Sequence, residues 1–167
     1  MPFTPLHFGY GALLHSAAPG RISFLAFCLA NVVIDLEPLY YMVSGQYPIH
    51  RFFHTLPGAT LAGAAVIAVH ALLRRQGLAG RLPNLLGWKS LTTRNVISGA
   101  LLGAVTHVFF DAVMHDDLRP WAPLSEANPL LRLVSIDELN LSCFFAAVAG
   151  AVVLGLRHFR RGTERGG

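Results

Sequence analysis

The chain has 167 residues, 53% of them hydrophobic, and only 13% are Asp, Glu, Lys or Arg, against about 25% in a soluble domain. Charge is absent from Phe52–Leu73, Asn95–Phe110 and Leu139–Leu156, runs of 22, 16 and 18 residues, and about 20 apolar residues span a bilayer core. An ordinary soluble domain is excluded, and so is a nucleic-acid surface. The net charge of +4 comes from basic residues that flank apolar runs, not from a basic face interleaved with aromatics.

In chain order, Thr4-Pro5 supplies an N-cap followed by proline at the first helical position. The apolar run Leu6–Ala17 then stops at Pro19-Gly20. It makes about 20 Å of helix, short of a hydrocarbon core of about 30 Å, so residues 1–21 are expected to form a half-buried helix. Ile22–Val43 is long enough to span but is interrupted by Asp35, Glu37 and Pro38. The residue before proline resists helical geometry, so a local break is expected to turn both carboxylates toward one centre. Further spans are expected at 56–73, 96–114 and 139–156, the last opened by the capping box Ser135-Ile-Asp-Glu138. The fold class is all-α: a single-domain polytopic membrane helix bundle, with four transmembrane helices and the short N-terminal helix.

Nine of the 13 basic residues fall in the loop 74–95 and the tail 157–167. The positive-inside rule makes both cytoplasmic, which leaves 44–55 and 115–138 outside and the C-terminus inside a plasma (inner) membrane. Nothing basic precedes Arg21, so no charged signal-peptide n-region is visible and the N-terminus is expected to persist. Cys28 and Cys143 lie in apolar runs and read as small buried hydrophobes.

Ionisable groups inside membrane segments are costly and usually face a bundle interior. Asp35 lies 14 residues after Arg21, about 21 Å up a helix. His7 lies 14 residues before Arg21 and reaches the same depth if the first helix is re-entrant. His107 and Asp111 stand about 20–26 Å beyond Arg94, and His50 and His54 at the outer entrance of the next span. Six groups from four segments converge. His50/His54 and His107/Asp111 are i, i+4 pairs, one helical face each, with donors suited to Zn²⁺, or to Mn²⁺ or Fe²⁺ in an oxygen-rich site. Arg51 suits a phosphate and equally suits snorkelling to the interface. His15, His70 and His158 fall near the inner face as structural groups. Tyr40, Tyr41, Tyr47 and Trp121 form an outer aromatic belt. His115, Asp116 and Asp117 read as a solvated loop start, with protonation of a leaving group as the alternative.

The opening Met-Pro-Phe-Thr-Pro-Leu-His7, the Asp35-Leu-Glu37 step, His50-Arg51-Phe-Phe-His54-Thr55 and His107-xxx-Asp111 occur in that order. The chain thereby resembles the YdjM-type family of inner-membrane proteins, described as membrane-bound metal-dependent hydrolases. The family commonly has Asp where Glu37 stands. The resemblance extends from His7 to about Asp117 and implies a metal-dependent hydrolase. The residue reading agrees: His7, Asp35, His50, His54, His107 and Asp111 as ligands of one or two divalent metals, and Glu37 as a further ligand or general base. Arg51 is then available to the phosphate of an amphiphilic substrate. Two rival classes use the same residues, an ion- or proton-coupled transporter and a non-catalytic, metal-stabilised membrane adaptor with a basic surface at Arg160 and Arg161.

Overall fold

The computed structural model describes residues 5–165, with the side chains of 79, 85–87 and 161–165 excepted. The expected N-cap Thr4 and the side chain of Arg161 lie outside the described residues. Five helices are present among them: α1 (Phe8–Ala17), α2 (Phe24–Val43), α3 (Leu56–Arg75), α4 (Thr93–Met114) and α5 (Ile136–Arg165). The last four are long and apolar enough to cross a membrane. They and the short first helix make a helical bundle.

Local chemistry sets the helix starts. Ser23, Thr55 and Thr92 each accept the backbone N–H three residues on, at 3.1, 3.1 and 3.3 Å, satisfying one of the orphan donors at each N-terminus. The box ahead of α5 closes in both directions: Glu138 N–H donates to Ser135 Oγ, and Ser135 N–H and Oγ–H donate to Glu138 Oε2.

Helices α2, α3 and α4 pack on one another, and α1 lies between α5 and α2. The seam is built of small residues, with Ala26, Ala30, Ala59, Ala62, Ala100 and Ala104 at 4% exposure or less. Lipid tails are as apolar as side chains, so helices in a bilayer associate through close packing and interhelical hydrogen bonds. Gly99 and Gly103 let α4 lie close against α2. A Cβ on either would overlap the α2 backbone at Ser23 or Phe27. Asn31 crosses the same seam, its Nδ2 donating to Phe27 O at 2.8 Å and to Gly103 O at 3.2 Å. Large apolar side chains such as Leu36, Leu61, Phe144 and Phe145 point outward.

Three local expectations change. Pro38 sits inside α2 without ending it. His50 and Arg51 precede a 3-10 turn, Phe52–His54, so the first HxxxH pair is not on one α-helical face. Helix α5 continues past Leu156 to Arg165, because no proline interrupts it and arginine favours helix.

Candidate metal centre

Polar residues from two helices and one turn meet beneath the 115–135 segment, which is tied down by Asn128 Nδ2 donating to Ala112 O and His115 O. Asp35 (α2), His54 (the turn before α3) and His107 and Asp111 (α4) are all buried. One ligand atom from each lies within 4.8 Å of the others. His107 Nε2 is 3.2 Å from Asp35 Oδ1 and 3.2 Å from Asp111 Oδ2, and His54 Nε2 is 3.3 Å from Asp111 Oδ2.

The outer ring nitrogens decide how these contacts are read. Asn31 spends its amide hydrogens on two carbonyls, so its Oδ1 faces His107 Nδ1 at 2.9 Å as an acceptor. His107 Nδ1 therefore carries the proton. His54 Nδ1 faces Glu37 Oε2 at 3.4 Å, so an acceptor for its proton stands on that outer side too. Both Nε2 atoms then turn lone pairs toward carboxylate oxygens, and neither makes a hydrogen bond. Such an arrangement repels unless a metal ion, or a proton on each Nε2, lies between. A tetrahedron with metal–ligand bonds of about 2.0–2.1 Å has edges of roughly 3.3 Å, the separation of these three nitrogen–oxygen pairs, and all four ligand atoms lie within 4.8 Å of one another. The outer oxygens supply the partners that metal-bound histidines ordinarily have. The donor set fits a metal ion.

His7 lies at the rim. It is 1% exposed, its Nδ1 is 3.8 Å from Asp111 Oδ1, and neither ring nitrogen has a hydrogen-bond partner. The short N-terminal element thus brings His7 beside Asp111 and the His107 ring. His50 belongs to an adjoining group with His115 and Asp117. Its Nδ1 meets Asp117 Oδ1 at 2.7 Å, and Asp117 Oδ2 accepts the N–H groups of Ile49 and His50. The His50 ring stands 4.6 Å from His54 and 4.1 Å from His115, centre to centre. Burial pushes the His50 imidazole down to about 4, reinforced by His54 and His115. Burial disfavours the charged Asp117, but the hydrogen bonds from His50 and Ile49 outweigh it and hold the carboxyl below its usual range.

Glu37 binds protein rather than the centre. Its Oε2 accepts Phe53 N–H at 2.9 Å and Arg51 N–H at 3.2 Å besides facing His54. Arg51 stacks over the Tyr41 ring at 3.6 Å and donates to Pro48 O and Gln46 Oε1. With Arg119, His50, Asp117 and Thr55 it lines a cleft of about 700 Å³. Of the other histidines, His15 is bonded to Ile22 O at 2.7 Å.

Sequence reasoning left Asn31 unnamed and read His115 and Asp117 as a solvated loop start, with protonation of a leaving group as the alternative, rather than as part of a ligand cluster. Asn31 is a neutral amide in an apolar run, and its role depends on which helix α2 faces. His115 continues the His107/Asp111 spacing by one more turn, a signal present in the sequence. Asp117 reveals itself only when the 115–135 segment folds back. No family model, curated protein or solved structure matches the chain.

Proposed function

We propose that the protein is a membrane-bound metal-dependent hydrolase acting on an amphiphilic phosphoester, with Asp35, His54, His107 and Asp111 as metal ligands. The observation that carries this reading is the pair of buried, unpartnered Nε2 atoms facing two carboxylates at 3.2–3.3 Å. A divalent ion held there supplies Lewis acidity and lowers the pKa of a bound water to about 7; zinc suits the two nitrogens and two oxygens, with Mn²⁺ or Fe²⁺ as alternatives.

The chain's own groups take the remaining roles. Asn31 and Glu37 act as positioning residues that hold the two ligand imidazoles in the Nε2-free tautomer. His7 adjoins Asp111 Oδ1 as a further ligand. His50, oriented by Asp117, forms the wall between cleft and centre. Arg51 and Arg119 line that cleft and receive the phosphate, since guanidinium matches phosphate oxygens in charge and geometry. The resemblance to the YdjM-type hydrolases supports the same reaction class. The basic distribution favours a plasma (inner) membrane, with the cleft outside and the C-terminus in the cytoplasm.

The test is metal analysis of detergent-purified protein, followed by phosphomonoester and phosphodiester substrates with and without chelator. Turnover that chelation abolishes and added metal restores is the expected result. Tight metal without turnover on any substrate removes the hydrolase reading and leaves the adaptor. A transporter or proton relay predicts neither metal nor turnover.

A further inference from the structure

A groove of about 420 Å³ runs between α2 and α3 at the end of the bundle opposite the metal centre. This volume is within the range of small-molecule sites. Leu25, Leu29 and Val33 form one wall, and Ala65, Val66 and Val69 the other. Leu82, Pro83 and Trp88 from the 78–91 segment close its end, where Trp88 Nε1 donates to Pro83 O at 2.8 Å. The eight helical steps from Leu25 to Val33 make the wall about 12 Å long. It is an apolar slot parallel to the helices.

Besides Ser23, whose hydroxyl caps α2, one polar side chain breaks the lining. His70 is 8% exposed, packs edge-on against Trp88 and has no hydrogen-bond partner on either ring nitrogen. A buried imidazole left without a partner costs free energy, and nothing in the metal centre accounts for it.

The end of the groove is strongly cationic. Arg74, Arg75, Arg81, Lys89 and Arg94 surround it in sequence, and no Asp or Glu occurs from Leu56 to Phe110. Arg74 donates to Lys89 O and Leu91 O, and Lys89 Nζ to Gly80 O. Leu91 and Trp88 line the groove, so the bond to Leu91 O holds the Arg74 guanidinium beside the lining, and Lys89 adjoins it in sequence; carbonyl partners leave both charges unneutralised. Basic pockets between membrane helices recognise anionic lipid headgroups.

We propose that this groove is a binding site for one anionic glycerophospholipid, separate from the metal centre. An acyl chain lies along Val66, Val69 and Leu29. The headgroup phosphate meets Arg74 and Lys89, and an ester carbonyl accepts a hydrogen bond from His70. The spacing agrees, because His70 lies one helical turn, about 6 Å, deeper than Arg74. That is the order in which a glycerophospholipid presents phosphate, ester and chain.

Trp88 reports on the site. With Trp121 changed to Phe it is the single tryptophan, and brominated acyl chains quench tryptophan only at close range. The full chain carrying Trp121→Phe is reconstituted in phosphatidylcholine vesicles containing brominated phosphatidylglycerol or, in parallel, brominated phosphatidylcholine at equal mole fraction. Phosphatidylglycerol is expected to quench Trp88 with an apparent affinity about fivefold or more above phosphatidylcholine, the gain of one basic side chain near an anionic surface. Adding Arg74→Gln and Lys89→Gln should bring the two lipids to parity. Adding Ala65→Phe, at an exposed position on the groove wall, should lower quenching by both. Equal quenching by the two lipids in the Trp121→Phe protein overturns the proposal, as does a preference that survives Arg74→Gln/Lys89→Gln. Undiminished quenching in Ala65→Phe overturns the acyl-chain placement.

Discussion

The direction of a single lone pair is what gives the site its chemistry. His107 and Asp111 are legible in the sequence because an ionisable pair at i, i+4 inside an apolar run is hard to explain by packing. What the sequence does not reveal is the outer partner of each imidazole. Asn31 and Glu37 reach His107 and His54 from another helix, and no local pattern encodes that. Replacing Asn31 with Leu removes the acceptor for His107 Nδ1 and should weaken metal binding about 10–100-fold, read by competition with a calibrated chelator. Glu37→Gln keeps an acceptor oxygen and should cost less than Glu37→Ala. Equal affinities across the three variants would separate the outer oxygens from the centre. His50 gives a second test at this scale. Its ring titrates near 4 in the fold against about 6.5 when unfolded, so the unfolded chain binds more protons between those values and stability falls as pH drops from about 6.5 toward 4. The full shift corresponds to on the order of 3 kcal/mol. In chelator, thermal melts at pH 5 should lie below those at pH 7, and His50→Gln should narrow the gap.

Elements determine whether those residues can meet. The four long apolar helices and the Ser135 box follow from residue type and spacing, and the structure has them. The turn Phe52–His54 differs from the expected helical pair because Glu37 accepts the N–H groups of Arg51 and Phe53, a tertiary contact that overrides local preference. Pro38 leaves α2 intact because a proline in a helix removes one hydrogen bond, a loss that neighbouring groups can make good in a membrane bundle. The Gly99-xxx-Gly103 spacing was available in the sequence and explains how α4 approaches α2. Gly103→Val should cost about 1–3 kcal/mol through overpacking and lower metal occupancy, since His107 lies one turn further along α4. Gly155→Ala, where a Cβ meets open space, should be neutral or stabilise by up to about 1 kcal/mol. Deleting residues 2–8 removes His7 while leaving the four long helices, so the chain should still insert but hold metal less tightly.

For the molecule as a whole, charge separates two ends. The buried His/Asp cluster and the cleft beside it occupy one, and the acid-free stretch from Leu56 to Phe110 contributes its cations to the other. This polarity is what the orientation rests on. With Cys28 and Cys143 replaced, single cysteines at Gln46 and Ser125 should react with impermeant thiol reagents on intact cells. A cysteine at Gln76 should react only after the membrane is opened. Labelling of position 76 in intact cells would invert the orientation and put the cleft in the cytoplasm.

The central claim is that Asp35, His54, His107 and Asp111 hold one metal ion, and metal per protein in the folded, monodisperse fraction tests it most directly. The wild-type chain purified from metal-replete medium should carry about one equivalent or more, depending on whether the His50 group also fills. Asp111→Asn keeps the shape and removes the charge; His107→Gln keeps a polar group and removes the imidazole. Each should lose the ion, and the double variant should lose little more, since parts of one unit are non-additive. A structural hydrogen bond between α4 and its neighbours predicts instead a loss of stability of about 1 kcal/mol with unchanged metal. Wild-type metal content in both single variants would contradict the metal centre.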